Sequence, residues 1–239
     1  MNYKKVVKQI ISEIIQDQMK PTMKYYAFDW DDNLMYMPTK IYLVDEDGES
    51  VGMSTEDFAE YRSEIGKEPF DYEGHTIVGY DDDAFRDFKV TGDKKFIVDA
   101  MKAPTGPAWD DFVEAVNNGS IFAIVTARGH TPSVLKNAVY NLIKRNMHGL
   151  NEKEVVRNLR KYREIADEED MTDDELLRTY LEMCKYHPVS FGEGSAANPE
   201  ELKVSAMRQF MEYVKTLSQR LQELYGDYCC QVVHHPVYK

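Results

Sequence analysis

The sequence predicts an α/β protein with a mostly parallel sheet and helices on both of its faces. Three observations predict it. Tyr25-Tyr26-Ala27-Phe28 is an apolar, β-prone run that stops abruptly at Asp29. Ile121-Phe122-Ala123-Ile124-Val125-Thr126 is continuously apolar, the pattern of a strand buried on both faces. Amphipathic helical stripes alternate with such runs, and that alternation builds a parallel sheet.

The elements follow in order. Residues 3–18 set Val6, Val7, Ile10, Ile11, Ile14 and Ile15 on one helical stripe, and Pro21 stops it. This amphipathic helix within 1–20 either packs on the domain or docks a protein partner. The first strand spans about 23–29. Residues 39–53 read as a β-hairpin turning at Asp45-Glu46-Asp47-Gly48, where the remaining spacing of a calcium loop is missing and an ordinary turn is expected. Residues 54–95 are acidic and rich in Gly, Tyr and Phe, and Asp81-Asp82-Asp83 reads as a solvated loop. A short helix over 107–117 buries Trp109, Phe112, Val113 and Val116 and ends at Asn118-Gly119.

After the strand at 121–126, Thr131 is placed to cap a helix with Pro132 at its first position. Its stripe is Val134, Leu135, Ala138, Leu142 and Ile143, with Gly149 just beyond its end. Residues 151–186 read as wholly helical and highly charged, with a capping box at Thr172-Asp173-Asp174-Glu175. A strand is expected at 188–191. Asn198-Pro199-Glu200-Glu201 then opens a long helix whose stripe runs Leu202, Ala206, Phe210, Val214, Leu217, Leu221, Leu224. A last strand is expected at 229–233.

At 239 residues the chain can build a sizeable core as one domain with insertions. It contains no run of about 18 apolar residues and no signal-peptide pattern, so a soluble, cytoplasmic protein is expected. Cys184, Cys229 and Cys230 lack metal-ligand spacing, and the adjacent Cys229-Cys230, in an apolar run, read as buried free thiols. The net charge of −13 repels a polyphosphate backbone, and no long basic block offsets it, which disfavours duplex nucleic acid as a partner. A small phosphorylated substrate needs only a few local cations.

Asp29 and Asp31 stand two residues apart at a strand exit, where open α/β sheets place their chemistry. One carboxylate can attack phosphorus, and the other can carry the leaving-group proton beside a hard cation. Asp29-Trp30-Asp31-Asp32-Asn33 resembles motif I, Asp-x-Asp-x-Thr/Val/Asn, of the haloacid dehalogenase-like (HAD) phosphatases. Its form within Ala27-Phe28-Asp29-Trp30-Asp31-Asp32-Asn33 is similar to HAD-like proteins of microbes and large phages.

The resemblance implies a single HAD-like domain, 1–239, on a three-layer Rossmannoid core. A flap- or cap-like insertion would lie at 34–95 and a helical one at 150–186. It implies Asp29 as nucleophile, Asp31 as acid and base, and Asn33 at the substrate. Thr126 matches motif II, and Arg128 two residues later would neutralise a substrate phosphate. Lys203 resembles the motif III lysine, with Lys136 as runner-up. Mg²⁺ would sit between Asp29, the backbone carbonyl of Asp31 and a third acid.

Motif IV, which normally supplies that acid after the last strand, is missing: Gln231-Val232-Val233 leads into His234-His235-Pro236. Glu193 could stand in, an acidic end could have been lost by truncation or processing, or the domain could no longer hydrolyse phosphate. His234-His235 would suit a borderline metal but reads as incidental.

Two functions follow. One is an Mg²⁺-dependent phosphohydrolase acting on a phosphomonoester through an aspartyl-phosphate. The other is a catalytically degenerate HAD-like structural or assembly protein, such as a phage virion component. The first requires the Asp29 and Asp31 carboxylates to lie within about 10 Å of the Thr126 hydroxyl, because one phosphoryl group must touch all three.

Overall fold

The computed structural model describes residues 22–88, 93–160, 171–189, 199–225 and 231–236. The helix expected within 1–20, Glu193, the Asn198 cap and Cys229-Cys230 lie outside them.

Strand β1 (Thr22–Phe28) pairs in parallel with β6 (Ile121–Thr126), Tyr25 opposite Ile121 and Phe28 opposite Ile124. On its other side it pairs in parallel with β8 (Gln231–Pro236), and β6 pairs in parallel with β7 (Lys185–Pro188). The strand order is β7-β6-β1-β8. All six residues of β6 are buried, as a strand covered on both faces requires.

Side chains alternate across the pleat. Tyr26 and Phe28 of β1 share one face with Phe122 and Ile124 of β6. This face packs on helices α2 (Asp93–Ala100), α3 (Trp109–Asn117), α4 (Pro132–Lys144), α5 (Glu152–Leu159) and α6 (Asp173–Met183). Phe112 joins the sheet to α3 through edge-on contacts with Phe28 and Phe122, at 5.3 and 5.4 Å between ring centroids. Tyr25, Ala123 and Val125 face the opposite way, onto Ala206, Phe210 and Val214 of helix α7 (Pro199–Tyr225). Those three belong to the stripe that the sequence pattern predicts.

A second sheet is built from the segment after β1. Strand β2 (Lys40–Asp45) and β3 (Ser50–Ser54) form the expected hairpin. Its turn is an ordinary one: Asp45 Oδ1 accepts from the backbone N–H of Asp47 and Glu49, and Gly48 takes φ +79°. Asp81-Asp82-Asp83 does form a turn, with Asp82 and Asp83 exposed, but the described residues of 54–95 around it are structured. They hold helix α1 (Thr55–Tyr61) and a second hairpin, β4 (Phe70–Tyr72) and β5 (His75–Tyr80), in an antiparallel sheet of order β3-β2-β5-β4. Between β4 and β5 only Glu73 and Gly74 turn the chain, both at positive φ, as a two-residue hairpin turn demands. This sheet buries its own cluster around Ile41, Leu43, Met53 and Ile77.

Other boundaries shift. Pro132 does open α4, but the Thr131 hydroxyl pairs with Ser133 instead of capping the helix. Helix α4 ends at Lys144, short of Gly149, because Asn146 and His148 turn left-handed. The stretch 151–186 is not wholly helical: it contains α5 and α6 and ends in β7, three residues ahead of the strand expected at 188–191. The Thr172–Glu175 capping box is present. His234 and His235 lie within β8, paired with Tyr25 and Tyr26, so that strand runs further than 229–233. Cys184 is buried, which pushes its thiol up to about 12. No helix among the described residues is long and apolar enough to cross a membrane.

Candidate active site

The chain leaves β1 at Phe28 and enters a loop held from beneath. Trp30, Leu34 and Met35 are fully buried. The amides of Leu34 and Met35 both donate to the Trp30 carbonyl, at 3.1 and 3.0 Å, and Asp32 N–H donates to the Met35 carbonyl at 3.0 Å. Asp32 adopts φ +56°, the left-handed conformation that aspartate tolerates better than most residues. Apolar anchors at Trp30 and Leu34 thus pin the backbone while Asp29, Asp31 and Asp32 point elsewhere.

A second strand of chain braces this loop. Gly106 donates its N–H to the Leu34 carbonyl at 2.8 Å, and Ala108 donates to the Asn33 carbonyl at 3.0 Å. A Cβ on Gly106 would stand 2.5 Å from that same carbonyl oxygen, so only glycine lets the two backbones approach so closely. Asn33 is buried, and its Oδ1 meets no partner among the described residues.

Each carboxylate has its own company. Asp29 Oδ1 accepts from the Trp30 N–H at 2.8 Å, and its Oδ2 forms an ion pair with Lys203 Nζ on α7. Burial pushes the Asp29 carboxyl above its ordinary range. Lys203 pulls it back down, and the charge on Asp31 adds to the rise. Asp31 is gripped from the end of β6. Its Oδ2 accepts from Thr126 Oγ1 at 3.3 Å and from Arg128 Nε at 3.0 Å, and its Oδ1 accepts from Arg128 Nη2 at 2.5 Å. Asp32 accepts from the Thr55 hydroxyl of α1 at 2.9 Å, and burial raises its carboxyl too.

Thr126 and Arg128 are 0% and 2% exposed, whereas the side chains of Asp29 and Lys203 keep 24% and 25%. A ligand therefore reaches Asp29 and Lys203 first. The site lies at the carboxyl ends of β1 and β6, two adjacent parallel strands. Four expected residues, Asp29, Asp31, Thr126 and Lys203, meet here. Arg128, expected at a substrate phosphate, spends its Nε and Nη2 on Asp31 and Thr39. Lys136 is elsewhere, paired with Glu182.

Sequence reasoning missed Thr39, Thr55, Gly106, Phe88, Phe96 and His130. Gly106, in Thr105-Gly106-Pro107, carried a breaker signal that could have marked it. His130 is buried beside Phe96, with ring centroids 4.7 Å apart, and burial and the Arg128 charge hold its imidazole below the ordinary range.

Comparison with protein-family models, curated proteins and solved structures finds no match to this chain.

Proposed function

We propose that the chain is a phosphohydrolase of the HAD type, built on that family's Rossmannoid core and acting on a phosphomonoester. The observation that carries the reading is the meeting of Asp29, Asp31, Thr126 and Lys203 at the ends of two neighbouring parallel strands, with Thr126 Oγ1 3.3 Å from Asp31 Oδ2. Asp29 attacks phosphorus and the bond to the leaving oxygen breaks, giving an aspartyl-phosphate. A phosphomonoester monoanion brings a proton, and Asp31, a carboxylate in its contact with Arg128, relays it to that oxygen. It then takes one from the water that releases phosphate. Lys203 and the Thr126 hydroxyl stabilise charge on the transferring group.

Magnesium is commonly held by one or two carboxylates, retained waters and the substrate's own phosphate, without a full protein cage. Asp29 and the Asp31 carbonyl would supply that minimum. No three His, Cys, Asp or Glu side chains converge as a metal cage among the described residues. This donor set suits an ion that arrives with the phosphate, where it would neutralise phosphoryl oxygens. The degenerate structural reading has one observation in its favour: Asp29 and Asp31 are each already paired with a cation of the chain.

Turnover of nitrophenyl phosphate, with Mg²⁺ and after chelation, decides between them. The wild type should hydrolyse it, Mg²⁺ should accelerate it, and Asp29→Asn should lose activity while keeping its far-UV circular dichroism. Wild-type activity in Asp29→Asn would sink the mechanism. A folded but inert wild type, unresponsive to Mg²⁺ with a phosphate mimic, would favour the structural role.

A further inference from the structure

Arg128 follows β6 in sequence and touches segments that flank both sheets. It is 2% exposed. Its Nε and Nη2 form a two-pronged contact with Asp31, at 3.0 and 2.5 Å. The same Nη2 donates to Thr39 Oγ1, one residue ahead of β2. The guanidinium carbon lies 4.8 Å from the Phe96 ring centroid and 5.5 Å from that of Phe88. The neighbouring Gly129 N–H donates to the Phe88 carbonyl at 2.8 Å. Thr39 and Phe88 bracket the antiparallel sheet at its two ends, so Arg128 joins Asp31 to both ends of that insertion.

The geometry points to Arg128 as a positioning residue that fixes the Asp31 carboxylate and makes its placement depend on the docked insertion. A guanidinium fork sets both the distance and the plane of a carboxylate, which an ammonium cannot do. Proton transfer needs the carboxylate within hydrogen-bond reach of the leaving oxygen, so the plane of Asp31 matters. With two nitrogens committed and almost no exposed surface, Arg128 is badly placed to greet a substrate phosphate. Beside it lies a cavity of about 60 Å³, bordered by Thr39, Lys95, Phe96, Asp99 and His130. Shortening Arg128 would open into this space and leave room for a free guanidinium ion.

The kinetic part of this inference rests on the phosphohydrolase reading, and the test separates the two. Arg128→Lys, Arg128→Ala and Thr39→Val are compared on phenyl phosphate and dinitrophenyl phosphate, and by amide hydrogen exchange. For Arg128→Lys on phenyl phosphate, kcat should fall roughly 10–100-fold with KM within about twofold. The loss should shrink on dinitrophenyl phosphate, whose leaving group needs no proton. Added guanidinium should restore part of the activity of Arg128→Ala. Thr39→Val keeps the ion pair and cuts the tether, and should show a smaller loss of the same kind.

Exchange should rise across residues 30–37 and 40–45 in Arg128→Lys while 121–126 stay protected. A raised KM with equal losses on both esters would make Arg128 a phosphate ligand instead. Unchanged exchange at 30–37 in Arg128→Lys overturns the positioning role, and unchanged kcat and exchange in Thr39→Val overturn the coupling. Should the wild type hydrolyse neither ester, the phosphohydrolase reading falls, and the exchange data alone still decide the role of Arg128.

Discussion

Asp29 shows how a partly buried acid weakens the fold that holds it. Burial raises its carboxyl above the ordinary 3.8, and Lys203 only partly offsets this. A raised folded value means that the native state binds the proton more tightly than the unfolded chain does. The sign follows by linkage. Stability from this group is fully present below the unfolded value and is lost as pH rises through the folded value. At neutral pH the ionised Asp29 is therefore a net cost. Asp29→Asn should melt at a higher temperature than the wild type at pH 7, and the gap should close as pH falls below 4. Melts of both proteins across that range check it. A variant that melts lower at pH 7 would mean that the Lys203 ion pair outweighs burial. Arg128 stands on the opposite side of this balance. Its partner Asp31 keeps only 13% of its side chain exposed, so removing the guanidinium leaves a largely desolvated carboxylate unpaired and should cost up to about 3 kcal/mol.

At the scale of elements, the site is a strand, a pinned loop and a brace. The strand and the acids were legible in sequence because they are local: an apolar run, then Asp29 and Asp31 two residues apart. Thr126 was legible for the same reason, at the end of six apolar residues. Lys203 was legible only through resemblance, since its partner lies 174 residues away. The brace was not legible. Nothing local says that Gly106 abuts Asn33, although the consequence is sharp. A methyl there meets a backbone oxygen at 2.5 Å and a backbone carbon at 2.8 Å, neither of which can swing aside like a side chain. Gly106→Ala should destabilise by about 1–3 kcal/mol through overpacking. It should also move the loop carrying Asp31 and lower kcat more than KM changes. Denaturant melts with steady-state kinetics check both, and a variant as stable and active as the wild type would mean the loop yields at no cost. The second hairpin escaped for a related reason: its turn is Glu73-Gly74, and glutamate is not among the residues that announce two positive-φ positions.

The whole molecule has two sheets with separate cores, and the candidate site lies where they meet. Around Phe28, Phe112 and Phe122 the larger core is contributed by β1, β6, β7, the loop after β1 and five helices. The smaller, around Leu43 and Ile77, is contributed by the antiparallel sheet, α1 and the segment after β5. The sequence marked only its first hairpin, because the segment as a whole is acidic and broken by glycines, and an acidic tract reads as solvated until its aromatic residues are seen to stack. Tyr61 lies flat on Phe70, and Phe58 meets Phe85 edge-on. A smaller core opens at lower free energy, and sub-global opening follows such units. Leu43 and Leu142 are both fully buried, one in each core, so the same substitution can be compared between them. Each Leu→Ala change should cost about 2–5 kcal/mol, but in different places. Leu43→Ala should raise hydrogen exchange across 40–80 while 121–126 stay protected, whereas Leu142→Ala should weaken protection everywhere. Because Arg128 ties Asp31 to Thr39, Leu43→Ala should also lose turnover at temperatures where the parallel sheet is still folded. Equal loss of protection at 121–126 in both variants would show that the two cores unfold as one, and the insertion could not then open apart from the parallel sheet.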